Sequence, residues 1–368
     1  MQVADRTPSA RDTGSLDAAV HGSPPRTLFA VTVDVEADDE WRSTGAPEYR
    51  GIGALPRLQE LCDRYQVWPT YLVTFDVASD PDSAEILREL ASTGRCEIGA
   101  HMHPWRTPPL YAPLDCETGY RPYLYDYPDE VQAEKMANLT HCIEDVFQRP
   151  ITSYRAGRWG IDAHGCDLLE GHGYVVDTSV TPLRNRRRQL GYPGGAAGPD
   201  FLRAPSVPYH PSESDVTVPG GRALLEIPVS SGVLGAAPGR SWHMRLVQVC
   251  GSSGMPGETA LKLLRKTRAV RVVDLTVARN EEREMVALAG RLLTEQGPVL
   301  NMAFHSSELV EGASPAVVTS EDAARMWRRI EAIMGVARSS RGAVSSGLTG
   351  CAAALIHGES RTPASRMS

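Results

Sequence analysis

Lysine is nearly missing from this chain. Only Lys135, Lys262 and Lys266 are lysine among 38 basic residues, so 35 are arginine, against 45 acidic residues and a net charge of −7. That balance argues against a general nucleic-acid binder, which concentrates positive charge. Long apolar runs are missing too. No stretch of roughly 18 apolar residues occurs, so no membrane-spanning helix is expected. Residues 1–26 are polar, rich in Ala, Ser, Asp and Pro, and lack the apolar stretch of a secretory signal. They read as a disordered tail, and a cytoplasmic location is the expectation. The seven cysteines, at positions 62, 96, 116, 142, 166, 250 and 351, are odd in number and never spaced C-x-x-C. Neither a disulfide framework nor a zinc ribbon is indicated.

What is present is ordinary globular composition. Over 368 residues the chain is 42% hydrophobic and 23% charged, enough for a substantial core in one large α/β domain or two small ones. From Leu28 onward, β-type runs alternate with helical spacing. Strands are expected at 28–33, 70–75, 96–101, 151–156, 174–177, 224–229, 270–277 and 298–304. Helices are expected near 55–65, 86–90, 131–146, 162–171, 280–296 and 320–337. Residues 104–127 and 183–221 read as loops, 231–260 has no clear assignment, and 351–368 reads as a flexible tail. Seven or eight strands separated mostly by helices imply a mostly parallel sheet. A closed or nearly closed barrel over 27–350 fits that count better than an open sheet, although the pattern alone does not separate them.

Two pairs carry chemistry. Asp34 and Glu36 end the first strand, and His101 and His103 end the third. On extended backbone, residues i and i+2 share a face, so each pair aims one way. Each is commonplace alone. Together, two carboxylates and two imidazoles at the ends of neighbouring strands are what a hydrolytic divalent-metal site needs. Arg155, Asp177 and His305 also sit at strand ends, where barrels gather functional groups. Their alternatives are a structural ion pair, a strand-end cap and a buried satisfied histidine. Trp105 and Trp159 flank these positions, where a sugar ring can stack or a core can form. The run Arg184-Asn185-Arg186-Arg187-Arg188 reads as a solvated loop or, alternatively, as a contact for an anionic substrate. His141, His164, His172 and His210 have no partner pattern.

In this order, Asp34, His101, Arg155, Asp177 and His305 resemble the polysaccharide deacetylase family, the NodB-homology or carbohydrate esterase 4 group, and most of all its WalW-like intracellular branch. The resemblance covers about residues 27–350. It implies a distorted (β/α) barrel that removes N- or O-acetyl groups from sugars with a divalent metal, zinc foremost. Asp34 takes the place of the catalytic base. Val35 stands where the family usually has a metal-binding Asp, so Glu36 inherits that role. After Glu97-Ile98-Gly99, His101 matches the first metal histidine. Trp105 stands at the second histidine position, and His103 is the substitute. Arg155 matches the arginine that holds the base, Asp177 the aspartate that orients the catalytic histidine, and His305 the general acid. A backbone N–H near residues 156–158 is the implied oxyanion donor.

The resemblance thus implies a hydrolase of non-peptide C–N bonds acting on a small-molecule or oligosaccharide substrate, an N-acetylated sugar. The departures at Val35 and Trp105 keep a non-catalytic binder of a glycan or sugar nucleotide as an alternative. A hydrolase of a ureide or cyclic amide is another.

Overall fold

The computed structural model describes residues 26–40, 46–112, 120–235, 247–249, 270–339 and 343–359. The expected tail at 1–25 lies outside them. Strands β1 (Leu28–Val35), β2 (Pro69–Val73), β3 (Glu97–Met102), β4 (Ser153–Ala156), β5 (Val176–Asp177), β6 (Leu225–Glu226) and, later in the chain, β9 (Val299–His305) form the central sheet. Its order is β9-β1-β2-β3-β4-β5-β6, every neighbour parallel. The short strand β10 (Val344–Ser345) pairs with the start of β1, ahead of β2. Seven parallel strands therefore curl into a half-barrel of the distorted (β/α) type.

The strands are apolar because both faces are covered. Every residue of β1 after Leu28 is buried, as is all of β2, the pattern of a parallel sheet under helices. Helix α1 (Leu55–Arg64) turns Leu55, Leu58, Leu61 and Cys62 inward. Helix α3 (Pro81–Ser92), which follows α2 (Phe75–Ser79), starts at Asp80, whose carboxylate accepts from Ser83 N at 2.9 Å. A proline in the first turn leaves no donor unsatisfied there. Helices α4 (Asp129–Phe147), α5 (Ala163–Gly171), α6 (Glu282–Thr294) and α7 (Ser320–Ala337) follow.

Two segments differ from expectation. Residues 231–260 were unassigned by pattern, and their first part is β7 (Ser231–Gly235), antiparallel to β8 (Val270–Asp274). The rest of that stretch lies largely outside the described residues. The expected tail from 351 is helical at first. Helix α8 (Leu348–Glu359) buries Leu348, Cys351 and Ala352 beside Ala30 and Leu72, and 360–368 lie outside the described residues. The apolar positions of α8 are scattered among small residues, which is why the pattern did not announce it.

The gap between β6 and β9 is bridged without a full strand. Ser230 N donates to Asn301 O at 3.1 Å, and Ala303 exchanges backbone hydrogen bonds with Leu275 and Val277. The fully buried Asn301 amide faces Thr178 Oγ1 at 2.9 Å, Ile227 O at 3.1 Å and Pro228 O at 3.3 Å. Truncating it strands buried acceptors, which costs about 1–3 kcal/mol. Asn301→Ala should therefore lower the urea midpoint of unfolding by a corresponding amount, and an unchanged midpoint would remove the closing role.

Candidate active site

Strand register brings the site together before any side chain is considered. Asp34 lies beside His305 across β1 and β9, and His101 beside Arg155 across β3 and β4. All four lie at the carboxyl ends of parallel strands.

Arg155 is fully buried, and its charge is matched on every side. Nη1 donates to Asp34 Oδ1 at 2.5 Å, Nη2 to Thr32 Oγ1 at 2.7 Å, and Nε to Thr178 O at 3.1 Å. Burial opposes ionisation of Asp34, but Arg155, with His101 and His305, outweighs it and holds the carboxyl below its usual range. Asp34 is thus kept as a carboxylate. The expected pairing of Arg155 with Asp34 is present.

Glu36, His101 and His103 are all buried, and one ligand atom from each lies within 4.8 Å of the others. His101 Nδ1 lies 3.1 Å from Arg155 O. A carbonyl only accepts, so Nδ1 carries the proton and Nε2 presents its lone pair. That lone pair lies 3.6 Å from Glu36 Oε2, and His103 Nε2 lies 3.2 Å from the same oxygen. Neither approach has the alignment of a hydrogen bond. Both Glu36 oxygens and His103 Nε2 are buried without a hydrogen-bond partner. Buried polar atoms are rarely left so, and converging orphan donors of this N, N, O type fit a divalent cation. Ser306 Oγ, 3.3 Å from both N and O of Glu36, fixes that backbone. Gly157 is needed here: a Cβ would come within 2.4 Å of Met102 O and 2.8 Å of the His103 ring.

Trp105 is not placed to stack on a substrate. One face of its ring lies 4.3 Å from the His103 ring and the other 4.2 Å from the Tyr120 ring. Its Nε1 donates to Glu40, which also binds Arg106 and stands 4.0 Å from His103 Nδ1. Both faces are taken, so the indole packs against and supports His103. Trp159 does line the cavity, with the guanidinium carbons of Arg155 and Arg186 at 5.1 and 5.6 Å from its ring centre.

His305 is oriented by Glu308, not by Asp177. Its Nδ1 meets Glu308 Oε1 at 3.0 Å, and its Nε2 faces Asp34 Oδ2 at 3.6 Å. Burial disfavours its charge, but Glu36, Glu308 and Asp34 outweigh burial and raise its pKa. Glu308 went unread, although the H-x-x-E spacing just after a strand is a signal for it. Asp177 points elsewhere because the register sets it beside Glu226. Its Oδ1 accepts from Ser179 Oγ at 2.6 Å, and Ser179 Oγ accepts from Ala156 N at 2.8 Å. The Ala156 N–H is therefore not the expected oxyanion donor. Burial raises the pKa of both Asp177 and Glu226, and the Asp177 charge raises Glu226 further. Both carboxyls are thus biased toward their protonated forms.

These groups open into a cavity of about 240 Å³, lined by Asp34, His101, Arg155, Trp159, His305 and Glu308 together with Ala156, Gln189, Thr276 and the arginines Arg158, Arg186 and Arg279. It is smaller than the roughly 300–1,000 Å³ common for drug-sized ligands. Arg186, part of the run read as a solvated loop, is buried. Arg279 had no sequence signal.

Compared with solved structures, the chain is similar to a protein from Mycobacterium smegmatis assigned to the polysaccharide deacetylases, with 15% identity and a TM-score of 0.52, over 95% of this chain and 98% of that one. It is also similar to a polysaccharide deacetylase-type protein from Pseudomonas aeruginosa PAO1, at 14% identity and TM-score 0.49, over 94% and 97%. The Puue allantoinase matches at 14% identity and TM-score 0.49, over 94% and 96%. No family model and no curated protein matches the sequence. The fold is that of the NodB-type polysaccharide deacetylases. Among the described residues no helix is long and apolar enough to cross a membrane.

The Asp177–Glu226 pair makes stability depend on pH. Both folded values are raised, so the contribution is complete at acidic pH, below the ordinary carboxyl range, and is lost as pH rises through the raised values. Glu226→Gln supplies a permanent donor to Asp177. Its melting temperature should fall less than the wild type's as pH rises from the ordinary carboxyl range upward. Parallel curves would show that the Glu226 carboxyl does not contribute to the pH dependence.

Proposed function

We propose that this chain is a metal-dependent hydrolase that removes the acetyl group from an N-acetylated sugar. The observation that carries the reading is the buried, unpartnered Glu36–His101–His103 donor set beside two opposed proton-handling pairs, Asp34–Arg155 and His305–Glu308. A divalent ion held by those three residues supplies Lewis-acid polarisation of the acetyl carbonyl. Asp34, ionised beside Arg155, takes the proton of the attacking water as the C–O bond forms. His305, protonated and steadied by Glu308, gives its proton to the nitrogen as the C–N bond breaks. The products are acetate and a free amine. One group starts without its proton and the other with it, and their surroundings set that division. Trp159 is the remaining candidate for contact with the sugar ring. Asp177 acts at a distance, through Ser179 on the backbone at Ala156.

The binding-only reading rests on Val35 and Trp105, which stand at two usual ligand positions. Glu36 and His103 offer replacements for both. Metal analysis separates the readings, since a pure binder needs no stoichiometric metal. A ureide or cyclic-amide substrate would keep the reaction class, and a panel of acetylated sugars and such amides tests it.

Asp34→Asn should lower kcat by about 10²–10⁴-fold, the size of general-base removal, while metal content stays unchanged. Equal loss of metal would make Asp34 a ligand instead. His101→Ala should remove bound metal and activity together, and full retention of metal by elemental analysis would strike it from the ligand set. His103→Ala should weaken metal affinity at least ~10-fold. A larger loss in Trp105→Ala would show that the indole, not the imidazole, governs the site.

A further inference from the structure

The cavity is more basic than the proposed chemistry requires. It is lined by four arginines and two carboxylates, in a chain whose net charge is −7. Arg155 is committed to Asp34. Both oxygens of Glu308 are committed to His305, one to Nδ1 and one to the backbone N–H. The carboxylate that acts most strongly on Arg186 and Arg279 is Asp274, and it is saturated. Its Oδ2 takes both Nε and Nη2 of Arg184, and its Oδ1 takes Thr276 N at 3.1 Å and Asn280 Nδ2 at 2.9 Å.

Arg186 and Arg279 are therefore left without a carboxylate of their own. Arg186 is only 5% exposed, and its sole hydrogen bond among the described residues runs from Nη1 to Thr181 Oγ1 at 2.5 Å. Its Nη2 is buried with no partner. Burial, then Arg279 and Arg184, disfavour its charge. An uncompensated buried guanidinium is costly, and an anion in the cavity offsets that cost. Arg158, over the Tyr123 ring at 5.9 Å, stands on the same cavity wall.

We propose that the substrate carries a phosphate group, held in this cavity by Arg186 and Arg279 with Arg158 beside them. The three guanidiniums come from separate segments: the turn after β4, the loop around residue 186, and the turn before α6. A tetrahedral oxyanion offers acceptors in several directions at once, whereas a carboxylate offers one planar edge. The inference rests on the deacetylase reading for the rest of the substrate, so the acetylated compound is a small phosphorylated sugar or sugar derivative. A long neutral polysaccharide would leave these arginines unmatched.

The test is calorimetric titration of the full-length protein with inorganic phosphate, and separately with glucuronate, in wild type, Arg279→Gln and Arg186→Gln. Phosphate should bind saturably at or below the millimolar range, and each substitution should weaken it at least ~10-fold. Arg279 is exposed, so its variant tests the site even if the buried Arg186→Gln variant does not fold. Undiminished binding in Arg279→Gln overturns the proposal, because the phosphate is then held elsewhere, as at a metal. So does the absence of saturable binding at tens of millimolar, or tighter binding of glucuronate than of phosphate. Arginine-dependent phosphate binding without hydrolysis of any acetylated sugar supports the anion site and removes the deacetylase reading instead.

Discussion

Arg155 is the residue on which the site depends, and it acts through both its side chain and its backbone. Burying a guanidinium costs several kcal/mol unless every donor finds an acceptor. Here those acceptors come from Asp34 and Thr32 on β1 and from Thr178 just past β5. The arginine therefore ties β1 to the segment after β5 across the interior of the curled sheet. The same residue's carbonyl accepts from His101 Nδ1, which sets the tautomer that leaves Nε2 open toward Glu36. One residue thus fixes the ionisation of Asp34 and the orientation of the His101 imidazole. Replacing it would disturb both at once, so a loss of activity in such a variant cannot be assigned to either alone.

Asp34 and Asp177 show how position overrides residue type. Both end parallel strands, and both are buried. Asp34 meets a guanidinium and loses its proton. Asp177 meets a second carboxyl, Glu226, through the β5–β6 register, and burial pushes both toward their protonated forms. Two carboxylates side by side in a low dielectric cannot both ionise cheaply. The first arrangement suits proton transfer. The second suits a structural link, and the Asp177–Ser179–Ala156 chain ties it to the turn that follows Arg155.

How much of this was legible follows from the same physics. Largely apolar runs such as Leu28–Val33 and Val299–Phe304 announce buried parallel strands, and a polar residue at the end of such a run marks a candidate position. Asp34, Glu36, His101, His103, Arg155 and His305 are candidates on that ground, and the fold gathers them at one end of the sheet. What failed depends on contacts without a spacing signature. Trp105 lies next to the histidine pair in sequence, which suggests a substrate contact, but nothing local says that His103 and Tyr120 cover both its faces. Asp177 matched a motif position, yet its partner is decided by the neighbouring strand. Arg279 reaches the cavity from the turn after β8, a placement that only the assembled fold creates.

The turn after β4 joins the two halves of the cavity. Arg158 and Trp159 both have positive φ, 52° and 64°, a conformation that costs non-glycine residues roughly 1–3 kcal/mol each. Such strain persists only where the surroundings over-determine it. Here Gly157 packs against Met102 O and the His103 ring, and Gly160 against the Tyr123 ring. The end of β3 and an aromatic of the neighbouring loop thus clamp the turn from opposite sides. The strained pair then presents a guanidinium and an indole to the same cavity that holds Asp34 and His305. The geometry of the donor set and the wall that faces the substrate are consequently not independent: moving His103 moves Gly157, and with it the two residues that shape the pocket.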